Sequence, residues 1–406
     1  MKASALKITT AAVDTHPTVS EHPPVTCGRR TAGLLVVIAV TTVVGGGQSA
    51  SAATPSGKKI TRTVRAVTEK YPVRATLFGV WKDGRRVASG ALGESRPGVP
   101  ATRADHFRIG NAAEALIVTL LLQLVDDGRL SLDDPLSNWL PNLPGAQQVT
   151  LGMLARSTSG YADFVTNPEF EDAFNANPFQ RWEASELLRL AFARPPLFAP
   201  GTSWAFSDTN FFLLGKVLRR ATGRPVDRLL GQRIWSELGM DETEMRVGPH
   251  IPAPVMHGYS RERGRYEDTT RWSPSWARRF GNVTSTLGDM GKWARAFGTG
   301  SLLSRRSHAL QVGPQNVGLG PLTADNYYGM GLGVGNGWIA ANPQLLGYNG
   351  VVSYLPAKRA AVVVFATQGP GGKPETAYAS AISNRIGELI APKQPPGLPV
   401  CPRPPC

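Results

Sequence analysis

The sequence is organised around one apolar run that directly follows the tetrapeptide Phe107-Arg108-Ile109-Gly110. Apolar residues recur in this run at steps of three and four, which is the period of a helix buried on one broad face. Asn111 and Glu114, three residues apart at its start, predict a capping box, and Gly128 predicts its C-terminal end. We therefore predict a buried central helix that begins after Asn111 and ends before Gly128.

Patterns on both sides of this helix indicate an α+β fold. Segments 73–81 and 85–92 read as two strands joined by the hairpin signal Asp83-Gly84. Two more strands are predicted at 351–355 and 361–366, and helical patterns fill most of the chain in between. The sequence thus predicts an antiparallel sheet built from both chain ends, flanked by helices, with a helical region inserted.

The N-terminal segment has the pattern of an export signal. Two arginines at positions 29 and 30 precede the apolar run 31–47, and Ala50-Ser51-Ala52 follows it as a cleavage site. We predict a signal peptide with a long polar n-region at 1–52, a linker at 53–60, the folded domain at 61–392 and a proline-rich tail at 393–406. The domain is then secreted or held in the cell envelope, and it contacts the membrane only if the signal segment stays uncleaved.

The charge of the chain favours anionic partners. The formal net charge is +14, of which the first 52 residues contribute +2, so the rest of the chain carries +12. Such a basic domain attracts anionic polymers of the cell envelope, including peptidoglycan fragments. No compact Lys/Arg block with interleaved aromatic residues is present, so nucleic acid is not expected as a partner.

The three cysteines do not indicate a metal centre. Cys27 precedes the apolar run, whereas Cys401 and Cys406 lie in the tail, where they either close a small disulfide loop or stay free. None has metal-ligand spacing with a histidine, and we predict neither a metal site nor a cofactor.

Several of these motifs together resemble a known family. Phe107-Arg108-Ile109-Gly110, the apolar helix, the segment 126–135 and Pro200-Gly201-Thr202 resemble the serine β-lactamase / D-alanyl-D-alanine carboxypeptidase family, in its class C-like, penicillin-binding-protein-like branch. The resemblance covers about residues 60–392 and implies a β-lactamase/transpeptidase-like fold. It also implies acyl transfer that uses three motifs, S-x-x-K, Y-x-N and H-x-G or K-x-G.

The residues that carry chemistry in these three motifs are replaced in this chain. Asn111 and Glu114 stand where the resemblance implies the nucleophilic serine and its lysine. Phe206-Ser207-Asp208 aligns with Y-x-N, and Ala341-Asn342-Pro343 aligns with H-x-G. In a second register, which fits the flanking residues less well, Tyr348-Asn349-Gly350 takes the place of the third motif.

These replacements change both the hydroxyls and the charges of the site. An amide has no hydroxyl to ionise, and Phe206, which we expect to be a packed aromatic residue, lacks the tyrosine oxygen. If Glu114 and Asp208 face one pocket, then one carboxyl is protonated, a cation binds between them, or the two point apart. The candidate ligand-binding residues are Asn111, Glu114, Asp208 and Asn342.

The sequence therefore predicts a β-lactamase-related protein without the catalytic residues, which acts by binding or regulation in the cell envelope. The alternative is an active serine hydrolase of carboxypeptidase, β-lactamase or esterase type that uses displaced residues. Its hydroxyl would come from Ser157, Ser159 or Ser207, with Glu114 or Asp208 as the base. A third hypothesis is a purely structural envelope protein, and we interpret the histidines at 257 and 308 as structural.

Overall fold

The structure is a computed structural model, which describes residues 55–278, 280–374 and 376–398. The predicted signal peptide and all three cysteines lie outside the described residues. The first helix, α1 (Gly57–Thr68), begins within the segment 53–60.

Helices occupy the middle of the chain and both of its described ends. After α1 they are α2 (Ala112–Asp126), α3 (Leu151–Ala155), α4 (Pro168–Ala176), α5 (Ala184–Phe192), α6 (Asp208–Thr222), α7 (Val226–Leu230), α8 (Ser236–Leu238), α9 (Leu287–Thr299), α10 (Arg305–Val312) and α11 (Tyr378–Ile390). None of the helices in the described ranges has the length and hydropathy that crossing a membrane requires.

The strands form one large antiparallel sheet and two small ones. They are β1 (Val73–Lys82), β2 (Arg85–Arg96), β3 (Val99–Pro100), β4 (Phe107–Arg108), β5 (Glu244–Met245), β6 (Tyr259–Ser260), β7 (Glu267–Asp268), β8 (Val283–Ser285), β9 (Asn326–Tyr328), β10 (Gly333–Gly335), β11 (Trp338–Ala341), β12 (Gln344–Leu345), β13 (Tyr348–Leu355) and β14 (Ala360–Gln368). The large sheet has the order β3-β2-β1-β14-β13-β11-β10-β9, with β12 paired to β13. The prediction of a sheet built from both chain ends is confirmed.

The central strand β14 is buried along its whole length because helices cover both faces of the sheet. Val362 and Val364 pack with α1 and α11 on one face. Val363 and Phe365 belong to the core that includes α2 and α9 on the other face. Alternate residues of one strand thus enter two separate cores, which explains why its sequence is almost continuously apolar.

Helix α2 lies where the sequence predicts it and ends as predicted. Gly128 has φ +69°, and the N–H groups of Gly128 and Arg129 bond to the carbonyls of Val125 and Leu124 in a Schellman motif. The expected single buried face is too narrow, since 12 of the 15 residues of α2 are buried. The reason is that α6, α7 and α10 pack around α2 in addition to the rest of the core.

Candidate functional site

The start of α2 is held in place by the short strand before it. Phe107 and Arg108 form β4, which pairs with Ser285 and Thr284 of β8. The Arg108 side chain is buried and donates hydrogen bonds to the side-chain oxygen of Asn282 and to the carbonyl of Pro249. The buried Arg108 side chain therefore holds β4 in place, and α2 begins a few residues after β4.

Gly110 allows the third motif region to approach the start of α2 closely. Its φ is +46°, and a Cβ atom there would lie 3.0 Å from the carbonyl oxygen of Gln344 and 3.1 Å from Cβ of Leu345. Glycine fits both the left-handed backbone and the missing space. Strand β12 thus packs directly on the turn that precedes Asn111.

Asn111 joins two carboxyl groups at the head of α2. Its Nδ2 atom donates to Oε1 of Glu114 at 3.0 Å and lies 3.4 Å from Oδ1 of Asp208, the first residue of α6. Glu114 is 2% exposed and Asp208 is 7% exposed. The predicted capping box is wrong, because the Asn111 side chain makes no capping hydrogen bond to the backbone. Asn111 has helical backbone angles (φ −61°, ψ −13°), whereas a capping residue usually has an extended backbone.

Asp163 completes a group of three buried carboxyls that we call the acid cluster (Glu114, Asp208 and Asp163). Burial, the negative charge of Asp208 and the hydrogen bond between the two carboxyls raise the pKa of Glu114 well above its usual value. Burial and the charge of Asp163 raise the pKa of Asp208 well above its usual value. Burial also raises the pKa of Asp163 to about 6, although backbone N–H groups of Val165 and Asp208 act against it.

The raised pKa values of Glu114 and Asp208 favour protonation of at least one of the two carboxyls. A hydrogen bond between two carboxyl groups needs at least one of them to be protonated, and desolvation favours the neutral form. Of the three expected outcomes for this pair, the structure therefore fits protonation. Among the described residues, no group of three or more histidine, cysteine or acidic side chains could hold a metal ion.

Tyr328 lies against the acid cluster and has no assigned role in the sequence reasoning. It is the last residue of β9, and burial together with the charges of Glu114 and Asp208 raises the pKa of its hydroxyl well above the usual value. That hydroxyl is buried, and its contact with Glu114 falls short of good hydrogen-bond geometry. One sign of this residue was present in the sequence: the segment 328–333 combines a tyrosine with three glycines and lacks the polar–apolar pattern of a helix or a strand.

The remaining predicted positions are not joined to the acid cluster. The expectation that Phe206 is a packed residue is wrong, because its side chain is 37% exposed, and its ring centroid lies 6.2 Å from that of Phe211. Ala341 is buried at the end of β11, opposite Val352, and Asn342 is exposed. The structure thus brings together Asn111, Glu114 and Asp208, but it shows no hydrogen bond from Ala341 or Asn342 to them.

The displaced hydroxyls of the alternative hypothesis are all buried. Ser159 donates to Oδ1 of Asn210 at 2.6 Å, and Nδ2 of Asn210 donates to the Ser157 hydroxyl at 3.4 Å. Ser207 is fully buried, and its hydroxyl has no partner among the described residues. None of the three is exposed to a substrate that arrives from solvent.

The two histidines have structural contacts. Nδ1 of His257 lies 2.6 Å from a carboxylate oxygen of Asp268, and Nε2 of His308 lies 2.8 Å from the carbonyl oxygen of Phe297. Both contacts agree with the structural interpretation of these residues.

Comparisons with known proteins place this site in a family. A family model described as beta-lactamase matches residues 60–384. The chain is 28% identical to the D-alanyl-D-alanine-carboxypeptidase/endopeptidase AmpH of Escherichia coli (strain K12), over 56% of this chain and 58% of AmpH, which is less than two thirds of that relative. It is 27% identical to penicillin-binding protein 4 of Amycolatopsis lactamdurans, over 81% of this chain and 89% of the relative.

A solved structure supports the same placement. The D-stereospecific amidohydrolase from Streptomyces sp. superposes with a TM-score of 0.72 at 25% identity, over 83% of this chain and 99% of that protein. Because the family model matches most of the chain and the fold agrees, this chain belongs to the β-lactamase family of serine-hydrolase-fold proteins.

Proposed function

We propose that this protein is an exported member of the β-lactamase family that does not acylate and that acts by binding or regulation in the cell envelope. The observation that carries the proposal is Asn111, which stands at the position of the nucleophile. Its amide is hydrogen-bonded to Glu114 and lies beside Asp208. The polar atoms at the head of α2 therefore satisfy one another and offer no hydroxyl to a substrate.

The chemistry of acyl transfer supports the same conclusion. The reaction needs a nucleophile and a base that accepts its proton. An amide cannot be the nucleophile, and Glu114 is held towards its protonated form rather than as a free base. Loss of the nucleophile or its base in a serine hydrolase lowers the rate by roughly 10⁶-fold. We expect acylation to be close to absent.

A groove on the opposite side of the sheet from α2 supports an anionic envelope polymer as the partner. The groove has a volume of about 700 Å³ and lies between α1 and β2, where Lys58, Arg62, Arg65 and Arg86 line it together with no acidic residue. We call these four residues the cationic groove. All four are exposed, and none forms an ion pair within the described part of the chain. Three of them follow helical steps of four and three, so one face of α1 presents a row of positive charge.

The first test is intact-protein mass spectrometry of the domain after incubation with a labelled penicillin. The comparison is a variant that combines Asn111→Ser, Glu114→Lys, Phe206→Tyr and Ala341→His. We expect no adduct on the native protein. An adduct on the native protein would overturn the proposal, and the mapped peptide would identify the nucleophile. An adduct on the variant alone would show that the cleft is kept and that only the chemistry is missing.

The partner is tested separately with a polyanion. Retention of the protein on an immobilised polyphosphate should fall when Arg62 and Arg65 are both changed to glutamate. In the matched control, Arg219 and Arg220 are both changed to glutamate. They are likewise two arginines on one helix, but they lie in the last turn of α6. Equal loss of retention in both variants would mean that net charge, rather than the cationic groove, binds the polymer.

The relatives favour one alternative function, because one of them is a D-alanyl-D-alanine-carboxypeptidase/endopeptidase and a solved neighbour is an amidohydrolase. In this alternative a displaced serine carries the reaction. The burial of Ser157, Ser159 and Ser207 counts against it. Labelling of the native protein by a fluorophosphonate would support the alternative over our proposal.

A further inference from the structure

A cavity of about 440 Å³ opens beside β12, and it is separate from the acid cluster. Its lining comes from α4, β6, β12 and the chain between the end of β14 and the start of α11, and includes none of Asn111, Glu114 and Asp208. Gln344 and Leu345 of β12 line this cavity and also contact the turn at Gly110. We call it the β12 cavity.

One wall of the β12 cavity is aromatic. Phe170 and Phe174 of α4 stack with their ring centroids 5.9 Å apart and an interplanar angle of 10°, and Trp276 packs edge-on against Phe170. A volume of about 300–1,000 Å³ with mainly apolar walls is typical of sites for small organic ligands. The aromatic faces would also attract a cation through their quadrupoles.

The polar rim of the cavity is mainly acidic, in contrast to the basic chain around it. Glu171 and Glu262 line the cavity, whereas Lys373 is the one basic residue in its described lining. Glu171 and Glu262 are both exposed. Partial desolvation by the surrounding cavity raises the pKa of Glu262, and a hydrogen bond from the Ser260 hydroxyl acts against that shift. Two carboxyls at the mouth of an aromatic pocket suit a positively charged group.

A buried amide inside the cavity lacks a partner. Gln368, the last residue of β14, is 6% exposed and lines the β12 cavity. Its backbone carbonyl accepts from the Tyr266 hydroxyl, but its side-chain amide makes no hydrogen bond to the described residues. The amide faces the cavity, so a hydrogen-bonding atom of a ligand can reach it. This observation is independent of the acidic rim and points to the same cavity.

We propose that the β12 cavity binds a small organic cation: an ammonium group that pairs with Glu262 and Glu171, joined to an apolar body that lies on the aromatic wall. A hydrogen-bonding group on the ligand reaches the Gln368 amide. The inference rests on the proposed binding role, for which it names a site and a class of ligand. The site lies beside the residues that correspond to the family's catalytic motifs rather than among them.

The test is calorimetric titration of the folded domain with 2-phenylethylammonium and, separately, with 3-phenylpropanoate, which has the same apolar body and the opposite charge. We expect the ammonium compound to bind at least ten times more tightly and to raise the Tm. Equal affinity for the two compounds, or tighter binding of the carboxylate, would overturn the inference. So would the absence of binding by the ammonium compound.

Variants locate the binding in the cavity. Glu262→Gln should weaken binding of the ammonium compound at least tenfold, whereas Glu237→Gln, which removes an exposed carboxylate beside a different cavity, should leave it unchanged. Gln368→Leu keeps a similar volume and should leave the Tm of the free protein unchanged or higher. It removes hydrogen-bonding to the ligand without loss of the fold. Unchanged affinity in Glu262→Gln would place the cation elsewhere and overturn the assignment.

The two proposals fail in distinguishable ways. A penicillin adduct on the native protein would show that the protein is acylated and would overturn the proposed function. It would not change the result of the titration with the ammonium compound. A titration without binding, together with no adduct, would remove only the assignment of the β12 cavity.

Discussion

The acid cluster and the β12 cavity are two groups of carboxyls on either side of β12, and they differ in how their polar atoms are satisfied. In the acid cluster, Glu114 and Asp208 are buried, hydrogen-bonded to each other and joined by Asn111. In the β12 cavity, Glu262 lines open space, and the amide of Gln368 has no hydrogen-bond partner among the residues that the structure describes. A set of polar groups that satisfies itself stabilises the fold, whereas unsatisfied groups beside a cavity favour a ligand.

The region that resembles the family's catalytic motifs and the region with space for a ligand are thus two different parts of this protein. The family is identified by the match over residues 60–384, and the resemblance aligns Asn111 and Glu114, the latter a member of the acid cluster, with S-x-x-K. The β12 cavity has no motif, but it has space, aromatic walls and carboxyl groups at its rim. In this protein the recognisable site and the site fitted to a ligand are therefore different places.

The largest expected difference is in the cost of removing one carboxyl from each region. Asp208→Ala should lower the free energy of unfolding by about 3 kcal/mol, because Glu114 and the Asn111 amide lose a buried partner. Glu171→Ala, at the rim of the β12 cavity, should cost less than about 0.5 kcal/mol. Urea unfolding with unchanged m values measures both. Similar losses of unfolding free energy in the two variants would contradict the difference between the acid cluster and the β12 cavity.

The contact that joins the two regions can be tested with a pair of glycines. Gly110 and Gly128 both have positive φ, so alanine strains the backbone by about 1 kcal/mol at either position. At Gly110 the added Cβ would also meet Gln344 and Leu345, whereas at Gly128 nothing lies within 4 Å. We expect Gly110→Ala to cost about 2 kcal/mol and Gly128→Ala about 1 kcal/mol by urea unfolding. Equal losses would mean that β12 can move away freely.

The acid cluster should make stability fall as pH rises. Its pKa values are raised in the folded state, so the folded protein holds protons that the unfolded chain has already lost above about pH 4. The stabilisation is complete below that pH and is lost as the pH passes through the folded-state pKa values, of which that of Asp163 is about 6.

Glu114→Gln isolates this effect, because the amide is neutral at every pH. Between pH 5 and pH 8 the native protein should lose about 1–2 kcal/mol more stability than Glu114→Gln does. Urea unfolding at the two pH values measures the difference, and Glu171→Gln is the matched control with an unburied carboxyl. An equal pH slope in the native protein and Glu114→Gln would show that no proton is held in the acid cluster.

The smallest expected effect is on the rim of the β12 cavity. Glu171→Gln should change the free energy of unfolding by less than about 0.5 kcal/mol, because the side chain is exposed and has no ion pair among the described residues. Thermal unfolding measures this change. A loss above about 1 kcal/mol would mean that the rim carboxylates already serve the fold, which would weaken the case for a ligand there.

Much of the fold was predictable because its signals are local. The Asp83-Gly84 turn predicted the β1–β2 hairpin, and the apolar period with Gly128 predicted the extent of α2. Short strands such as β11 and β12 have two to four residues, which is too few to show an alternating pattern. Their places depend on pairing with β13, and that is not visible in the local sequence.

The site was predictable only as far as the motifs reach. Alignment placed Asn111, Glu114 and Asp208 together, and the structure agrees. The side-chain contacts were not predictable, because one partner of the Asn111 amide, Asp208, lies 97 residues away in the sequence. The β12 cavity was missed for the same reason: its lining comes from five separate parts of the chain, and no spacing connects them.

The hydrogen bonds of Asn111 also have an evolutionary consequence. A change of Asn111 to serine alone leaves two buried acids without their amide donor, and a change of Glu114 to lysine alone removes the carboxyl that accepts from that amide. Each single step towards a serine–lysine pair therefore passes through a less stable intermediate. A serine–lysine pair at these two positions is therefore disfavoured unless both substitutions arrive together.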